Sequence, residues 1–285
     1  MSDIPDWFGW SVDIEAKRGC VEVSNADIRY CFWSDAGKPG LLFVHGHSAH
    51  SRWWDFIAPH YKNGYQVAAL DLSGMGDSDH RDNYSTDMFA DEIIATADAL
   101  KMPENTIVVA HSFGGIIALR VMVQKSSRFK GLILVDSGVK YPNDEKAEST
   151  KPWSKQKVYP SQEIAIKRFR LLPPQECDNQ YLVRYIAQHS LDAIDEGFVW
   201  KFDRELISRM HRTGDTLEDL RSLTNRCALI YGERSKSFGP KSAAYMKAQK
   251  PELELHEIPN AQHHLFLDQP VMFMDRLSLI LDEWE

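Results

Sequence analysis

The segment Thr-Ile-Val-Val-Ala-His-Ser-Phe-Gly-Gly at residues 106–115 constrains this chain more than any other. Its first part, 106–110, is apolar and β-branched, which predicts a short buried strand. Residues 116–123 predict a helix that is apolar on almost every side. A strand, a sharp turn and a helix therefore meet at Ser112, where a strained backbone would lift the serine hydroxyl clear of a sheet.

Small residues flank this serine. Ala110 and Gly114 would let the strand and the helix approach each other without a collision of side chains. The helix N-terminus behind Ser112 supplies backbone N–H groups and partial positive charge where an oxyanion could form. The same Ser-x-Gly-Gly pattern also occurs in purely structural turns, so a catalytic interpretation needs a base elsewhere in the chain.

Predicted strands and helices alternate along most of the chain. Apolar patterns predict a hairpin over 19–34 and strands over 41–44, 66–72, 131–135, 227–231 and 253–258. One-sided apolar spacing predicts helices over 53–61, 87–100 and 271–281. This alternation predicts an α/β fold, in which a mostly parallel, doubly wound sheet carries helices on both faces. Because the carboxyl ends of such strands share one edge, Asp71, Ser112 and Asp136 are expected together there.

The alternation stops between residues 139 and 225. Prolines are frequent early in this segment, and helices are predicted around 161–171, 178–195 and 203–211. We therefore predict a helical insertion over 139–225 between two parts of one core, 1–138 and 226–285. The aromatic side chains of the insertion either line an apolar acyl pocket or pack its helices onto the core. They are Trp153, Tyr159, Phe169, Phe198, Trp200 and Phe202.

The composition argues against several classes of protein. The chain has 285 residues and a net charge of -8, which argues against nucleic-acid binding, because neutralising phosphates needs clustered Lys and Arg. No apolar run approaches the roughly 20 residues of a membrane span, and the acidic first residues do not form a signal peptide. Wide spacing of the cysteines favours free thiols at Cys20, Cys31, Cys177 and Cys227. We therefore expect a cytoplasmic monomer or homodimer that acts on a small molecule.

A second segment supplies the base that a serine nucleophile needs. The turn at Ser112 resembles the nucleophile elbow of the α/β-hydrolase family, with Ala110 in place of the usual first glycine. Residues 258–270 resemble the family's Gly-His followed by an apolar stretch, an acidic residue and proline. The resemblance implies an α/β-hydrolase fold with a helical cap after the strand that follows the nucleophile helix. Register with the family pattern selects His263 as the base, with the adjacent His264 as the alternative.

The oxyanion side of the site has a candidate in residues 43–48. This Phe-Val-His-Gly-His-Ser segment resembles the family's His-Gly-x loop, although it is also compatible with a simple turn at the end of a strand. The resemblance implies that the backbone N–H groups of His47 and Phe113 hold the oxyanion. Gly46 would let the chain turn without a side chain in the way. The segment 71–79 resembles the family's Asp-x-x-Gly-x-Gly-x-Ser loop, and we interpret it as structural.

The carboxylate partner of the histidine departs from the commonest family pattern. Many members read Gly-x-x-Asp after the strand predicted over 227–231, whereas this chain has Ser235 at that aspartate position. A serine cannot stabilise an imidazolium by charge. Asp136, at the end of the strand after the nucleophile helix, is the preferred substitute, because some relatives, including haloalkane dehalogenases, carry their carboxylate there. Glu233 and the absence of any functional acid remain alternatives.

Three histidines of the same region form the pattern His-x-His-x-x-His, which faintly resembles the metal-binding loop of metallo-β-lactamases. That loop needs an aspartate immediately before the third histidine, where this chain has Ala49, and no second ligand cluster is evident. The three residues are His45, His47 and His50. We therefore expect neither a metal nor an organic cofactor.

The motifs together predict a serine hydrolase that cleaves a carboxylic ester or related acyl bond through an acyl-enzyme on Ser112. Carbon–carbon bond hydrolysis of diketone-type acids is an alternative. So is a lyase reaction, since residues 232–235 partly match the Gly-Glu-Arg-Asp loop of a menaquinone-pathway synthase. Both alternatives would be favoured by an anion-binding arginine such as Arg168 or Arg170. A weakly catalytic ligand-binding member of the fold is a third possibility, supported by the missing carboxylate at Ser235.

Overall fold

The structure is a computed structural model that describes residues 4–142 and 156–285. Its core is a sheet of eight strands, and four shorter strands lie outside it. In chain order the strands are β1 (Lys17–Val23), β2 (Ala26–Phe32), β3 (Gly40–Val44), β4 (Gln66–Leu70), β5 (Tyr84–Ser85), β6 (Ile107–His111), β7 (Gly131–Val135), β8 (Leu191–Ile194), β9 (Gly197–Trp200), β10 (Met210–His211), β11 (Arg226–Gly232) and β12 (Glu254–Ile258).

The described residues also form α-helices and short 3₁₀ turns. The helices are α1 (Asp6–Val12), α2 (Thr86–Ala99), α3 (Phe113–Gln124), α4 (Gln162–Arg168), α5 (Gln180–His189), α6 (Thr216–Ser222), α7 (Pro240–Gln249), α8 (Leu265–Asp268) and α9 (Pro270–Trp284). The 3₁₀ turns cover Ser51–Trp54, Ala58–Tyr61, Ser126–Arg128 and Ile207–Arg209. None of the helices in the described part of the chain has both the length and the hydrophobicity needed to cross a bilayer.

The large sheet has the strand order β1-β2-β4-β3-β6-β7-β11-β12. The pairs from β4 to β12 are parallel, whereas β1 with β2 and β2 with β4 are antiparallel. Strands β3, β4, β6 and β7 are buried along their whole length, as expected where helices cover both faces. One cover contains α9 and the other contains α2, α3 and α7. The predicted α/β fold class is therefore confirmed.

Three predicted helices are wrong in part. The helix predicted over 53–61 is two 3₁₀ turns, because Pro59, the second residue of the second turn, lacks the N–H group that a continuous helix would need there. The helix predicted over 178–195 ends at His189, and the hairpin of β8 and β9 follows it. Gly197 permits this hairpin, since its φ of 138° suits glycine. The helix predicted over 203–211 is a 3₁₀ turn followed by β10.

The insertion predicted over 139–225 is described only in part, since Pro152 and Trp153 lie outside the described residues. Its described part contains α4, α5 and α6 together with the hairpin of β8 and β9, so it is mixed rather than purely helical. Five of the aromatic residues named above belong to a small hydrophobic cluster with Ala165 and Leu191, which favours packing over pocket lining for those five. Tyr159 and Trp200 are buried in the cluster, and Phe169, Phe198 and Phe202 are partly buried against it.

Adjacent strands position the site. Strands β6, β7, β11 and β12 are consecutive neighbours in the sheet and run parallel, so the loops after them leave from the same edge. Ser112 follows β6, Asp136 follows β7 and His263 follows β12 after a short loop. Asp71 follows β4 further along this edge, where its carboxylate accepts the backbone N–H groups of Ser51 and Asp77. That bonding supports the structural interpretation of the segment 71–79.

Gly114 should resist substitution because α3 passes very close to the chain after β3. A Cβ atom at Gly114 would lie 2.3 Å from the carbonyl oxygen of His45, a backbone atom that cannot rotate away. Replacing glycine by alanine inside a helix normally stabilises a protein by about 1 kcal/mol. We expect Gly114→Ala instead to destabilise this protein by about 1–3 kcal/mol, the usual cost of an overpacked core.

Urea unfolding of the Gly114→Ala variant measures this effect. The matched control is Gly9→Ala in α1, where an added Cβ meets no atom within 4 Å and a small gain in stability is expected. A Gly114→Ala variant as stable as the wild-type protein would contradict the packing argument.

Candidate active site

Ser112 stands at a strained turn between β6 and α3. Its φ of 51° and ψ of -120° lie outside the regions that side-chain-bearing residues favour, at a typical cost of about 1–3 kcal/mol. Backbone hydrogen bonds hold this geometry: the N–H of Ser112 donates to the Val135 carbonyl at 3.0 Å, and the Ser112 carbonyl accepts the N–H of Gly115 at 3.0 Å. The hydroxyl of Ser137 donates to the same carbonyl at 2.5 Å. The turn is therefore fixed by β7, by the residue Ser137 after it, and by the first turn of α3.

Sequence reasoning missed the contribution of Gly115 to this turn. A Cβ atom at Gly115 would lie 2.3 Å from the Oγ atom of Ser137, the hydroxyl that holds the Ser112 carbonyl. The close approach involves residues 22 positions apart, so a local pattern around the serine did not reveal it. A glycine at this position keeps the Ser137 hydrogen bond possible.

His263 reaches Ser112 from a loop 151 residues later in the chain. Its Nε2 atom lies 2.9 Å from the Ser112 Oγ atom, and its Nδ1 atom lies 2.6 Å from the Oδ2 atom of Asp136. A carboxylate only accepts, so Nδ1 carries the proton and Nε2 is left to accept the serine hydroxyl. Sequence reasoning named these three residues, and the structure brings their side chains into one hydrogen-bonded chain.

The Asp136 side chain is fully buried and well supplied with donors. Besides the imidazole, the carboxylate accepts the backbone N–H of Gly232 at 3.2 Å and the hydroxyl of Ser235 at 2.7 Å. Its own N–H donates to the Ile230 carbonyl at 2.8 Å. The structure thus places Ser235, the residue at the usual aspartate position, as a hydrogen-bond donor to the substitute carboxylate.

The other candidates for acid and base lie outside this chain of hydrogen bonds. Glu233 is exposed, and its carboxylate accepts the backbone N–H of Asn260 at 2.8 Å. The ring of His264 is buried against Trp53, with the ring centres 5.3 Å apart. Neither side chain contacts Ser112 in the described structure, so the geometry favours Asp136 and His263 over them.

The loop after β3 lies directly beside the strained turn. A Cβ atom at Gly46 would lie 3.2 Å from the Ser112 Cβ atom and 2.9 Å from the Nδ1 atom of His111, so a larger residue would press on the serine. The rings of His47 and Phe113 meet edge to face, with their centres 6.0 Å apart. The two residues predicted to supply oxyanion donors are therefore neighbours, with Phe113 directly after Ser112 and His47 in the adjacent loop.

The His-x-His-x-x-His pattern does not converge on one centre. His45 accepts the Leu72 N–H at Nε2 and contacts the Gly46 carbonyl with Nδ1. The Nε2 atom of His50 lies 2.8 Å from the Ser190 Oγ atom. The Nδ1 atom of His47 lies 2.9 Å from the Oγ atom of Ser48. Because the three rings bond to different groups, they are not arranged as a shared metal site.

Other histidines cluster around His263. One ring nitrogen from each of His111, His263 and His264 lies within 4.8 Å of the others. His263 commits both of its ring nitrogens to Asp136 and Ser112, so this trio is not arranged around an ion. Burial lowers the pKa of His111 and of His264 well below the usual range, and their closeness to His263 adds to the effect. Both rings are therefore neutral at neutral pH.

The structure also locates Arg168 and Arg170, the two arginines considered for binding an anionic substrate. Arg168 and Arg170 are exposed, and the Arg170 guanidinium donates to the backbone carbonyls of Lys167 and Phe169. They therefore do not form an anion-binding pair inside the site. The ring of Phe238 lies nearly parallel to that of His263 with their centres 6.4 Å apart, a contact that sequence reasoning also missed.

Comparisons with known proteins give matches over most of the chain. A family model described as the Alpha/beta hydrolase family matches residues 41–276. Proline iminopeptidase PfmaB of Pestalotiopsis fici is 19% identical in an alignment of length 279 that covers 92% of this chain and 99% of that protein. Pimeloyl-[acyl-carrier protein] methyl ester esterase of Nitrosospira multiformis is 23% identical in an alignment of length 254 that covers 83% of this chain and 92% of the esterase.

A solved structure extends the similarity to the fold. E-2-(acetamidomethylene)succinate hydrolase superimposes with a TM-score of 0.81 at 17% sequence identity, over 94% of this chain and 100% of that chain. At such low identity the likeness concerns the fold alone.

The buried histidines should make stability depend on pH. Burial lowers the pKa of His45 to about 4 and that of His50 well below its usual range. An unfolded histidine binds a proton below about pH 6.5, whereas these native rings stay neutral, so the free energy of unfolding falls as the pH falls below that value. Between pH 6 and 5, we expect His50→Gln to lose about 1 kcal/mol less stability than the wild-type protein.

Urea unfolding at the two pH values measures this difference. His80→Gln is the control, because it removes an exposed histidine and leaves the buried ring of His50 in place. Equal losses in the wild-type protein and the His50→Gln variant would show that His50 is not held neutral.

Proposed function

Since this chain belongs to the alpha/beta hydrolase family and is an enzyme of that family, we propose that it is a serine hydrolase that cleaves a carboxylic ester or related acyl bond of a small molecule. The observation that carries the proposal is the hydrogen-bonded chain from Asp136 through His263 to Ser112, with contacts of 2.6 Å and 2.9 Å. A serine hydroxyl becomes a strong nucleophile when an oriented imidazole removes its proton.

The proposed reaction has two halves. The Ser112 Oγ atom attacks the substrate carbonyl carbon while its proton moves to Nε2 of His263. The tetrahedral intermediate then expels the alcohol, which takes that proton and leaves an acyl group on Ser112. Water repeats the sequence on the acyl-enzyme, so the products are a carboxylic acid, an alcohol and the original enzyme. Each half-reaction starts from a neutral imidazole with its Nδ1 proton directed at the carboxylate and passes through the imidazolium.

The backbone N–H groups of His47 and Phe113 are proposed to hold the oxyanion. Phe113 is the first residue of α3, where helix N–H groups have no partner within the helix. His47 follows Gly46, whose missing side chain leaves room beside the Ser112 side chain. Donors fixed by a strand end and a helix end need little rearrangement as charge develops on the acyl oxygen.

Asp136 is proposed to orient His263 and to stabilise the imidazolium that forms in each half-reaction. A buried carboxylate acts strongly in this role, because little water screens it. The chain itself thus supplies nucleophile, base, carboxylate and oxyanion donors, and the proposed reaction calls for no metal or organic cofactor. A serine nucleophile also argues against epoxide or haloalkane cleavage, which proceeds through an aspartyl ester.

The alternatives use the same residues differently. Carbon–carbon bond hydrolysis or a lyase reaction would use Ser112 and His263 as an acid–base pair on an acidic substrate. The exposed positions of Arg168 and Arg170 give these reactions less support than ester cleavage. A weakly catalytic ligand-binding protein would explain Ser235, but Asp136 supplies the carboxylate that Ser235 lacks.

We further propose that residues 139–225 form a cap over the site. Support comes from bonds between its described part and the glycine-containing loop after β4. The Asp203 N–H donates to the Gly74 carbonyl at 2.7 Å, and the Gly76 N–H donates to the Lys201 carbonyl at 2.9 Å. We also propose a cytoplasmic location, because the four cysteines are free thiols.

Substitution of each candidate carboxylate tests the proposal. In hydrolysis of short p-nitrophenyl esters, we expect Asp136→Asn to lower kcat by roughly 10³–10⁴, because an amide no longer stabilises the imidazolium. Glu233→Gln is the matched control and should keep most of the activity, since that side chain contacts Asn260 instead. Ser112→Ala should abolish acyl-enzyme formation. The opposite ranking of the two carboxylate variants would overturn the assignment of Asp136.

A further inference from the structure

We propose that Ser235 is a positioning residue that acts on the reaction through Asp136. Its hydroxyl donates a hydrogen bond to the carboxylate oxygen that faces His263. The proposal rests on the proposed function of Ser112, His263 and Asp136. It gives a role to the position where the resemblance predicted an aspartate and the chain has a serine.

Two hydrogen bonds converge on one oxygen of Asp136. The Oδ2 atom lies 2.6 Å from Nδ1 of His263 and 2.7 Å from the Oγ atom of Ser235. The other oxygen, Oδ1, accepts the Gly232 N–H at 3.2 Å. Ser235 therefore shares an acceptor atom with the imidazole, so it influences how much negative charge that atom presents to His263.

The direction of the Ser235 hydroxyl is fixed by its other partners. The Oγ atom accepts the backbone N–H groups of Ser237 and Phe238, each at 3.2 Å. A serine hydroxyl has two lone pairs and one proton. With both lone pairs facing N–H donors, the proton is left for the Asp136 carboxylate. The Ser235 N–H also donates to the Gly232 carbonyl at 3.0 Å, which ties the residue to the end of β11.

A serine at this position suits a carboxylate that comes from β7. An aspartate at 235 would place a second negative charge next to the buried carboxylate of Asp136, and two such carboxylates cannot easily both ionise. The serine hydroxyl instead stabilises the ionised form of Asp136. The departure from the family pattern at Ser235 is thus the counterpart of the acid at Asp136.

The effect on His263 follows from simple electrostatics. A donor on Oδ2 withdraws part of the charge that favours the imidazolium, so removing it should strengthen the attraction between Asp136 and the imidazolium of His263. The titratable groups that contact His263 in the described part of the chain are Asp136 at the end of β7, His111 at the end of β6 and His264 in its own loop. Lys140 lies 5.8 Å from the centre of the ring of Phe238, the residue whose ring packs beside His263. The variants below leave all of these in place.

The pH dependence of Ser112 phosphorylation by diethyl p-nitrophenyl phosphate tests the proposal. The Ser112 Oγ–phosphorus bond forms as the bond between phosphorus and the p-nitrophenolate oxygen breaks. Release of p-nitrophenol is followed by absorbance at a wavelength where the phenol and the phenolate absorb equally. For Ser235→Ala we expect the acid limb of the rate profile to move up by roughly half to one pH unit. The plateau rate should fall about tenfold or less, because Asp136 loses one of its restraints.

Companion variants separate positioning from packing. Ser235→Thr keeps the hydroxyl and should retain the wild-type midpoint of the rate profile. Ser237→Ala removes a neighbouring hydroxyl but keeps the backbone N–H that donates to the Ser235 Oγ atom, so it should retain that midpoint as well. If Ser235→Ala does not fold, Ser235→Cys offers a much weaker donor of similar size and should show a shift in the same direction. A lower plateau with an unmoved acid limb, or an equal shift in Ser235→Thr, would overturn the proposal.

Failure of the proposed function would look different. In that case the wild-type protein would not react at Ser112 at all, whatever residue stands at 235. A wild-type protein that reacts with a pH-dependent rate, together with a Ser235→Ala profile that superimposes on it, would reject the role of Ser235 alone.

Discussion

The buried hydrogen bond between Asp136 and His263 is the interaction on which the rest of the site depends. A carboxylate with no exposure to water is costly unless donors compensate its charge, and removing a partner from such a buried pair typically costs about 3–5 kcal/mol. Here one imidazole, one backbone N–H and one serine hydroxyl supply those donors. The same bond places the proton of His263 on Nδ1, which leaves Nε2 facing Ser112 as an acceptor.

The sheet makes this bond possible by bringing distant segments to one edge. Ser112 follows β6, Asp136 follows β7, and Gly232 ends the next strand of the sheet, β11. His263 lies in the loop after the neighbouring strand β12. Close packing then fixes the serine. Neighbouring atoms lie so close to Gly46 and Gly115 that a side chain at either position would press against them. The strain of the turn at Ser112 is thus offset by packing and hydrogen bonds elsewhere, as is common where a backbone conformation serves a function.

Much of the fold could be predicted from the sequence because its signals are local. Buried strands such as 131–135 appear as continuous apolar runs, and the turn at Ser112 has a pattern of small residues around one polar residue. The hairpin of β8 and β9 was missed, and its pairing of Phe198 with Tyr159 joins residues 39 positions apart that no local pattern connects. The same limit applies to Ser235, whose hydrogen bond spans 99 residues and has no local pattern.

The identity of the residue that a covalent inhibitor modifies tests the proposed role of Ser112 most directly. After reaction with diethyl p-nitrophenyl phosphate, peptide mapping by mass spectrometry should find one diethylphosphoryl group per chain, on the peptide that contains Ser112 and on that side chain. A protein that stays unmodified while its fold is intact, or an adduct on another residue with Ser112 untouched, would contradict the proposed catalytic role of the hydrogen-bonded chain.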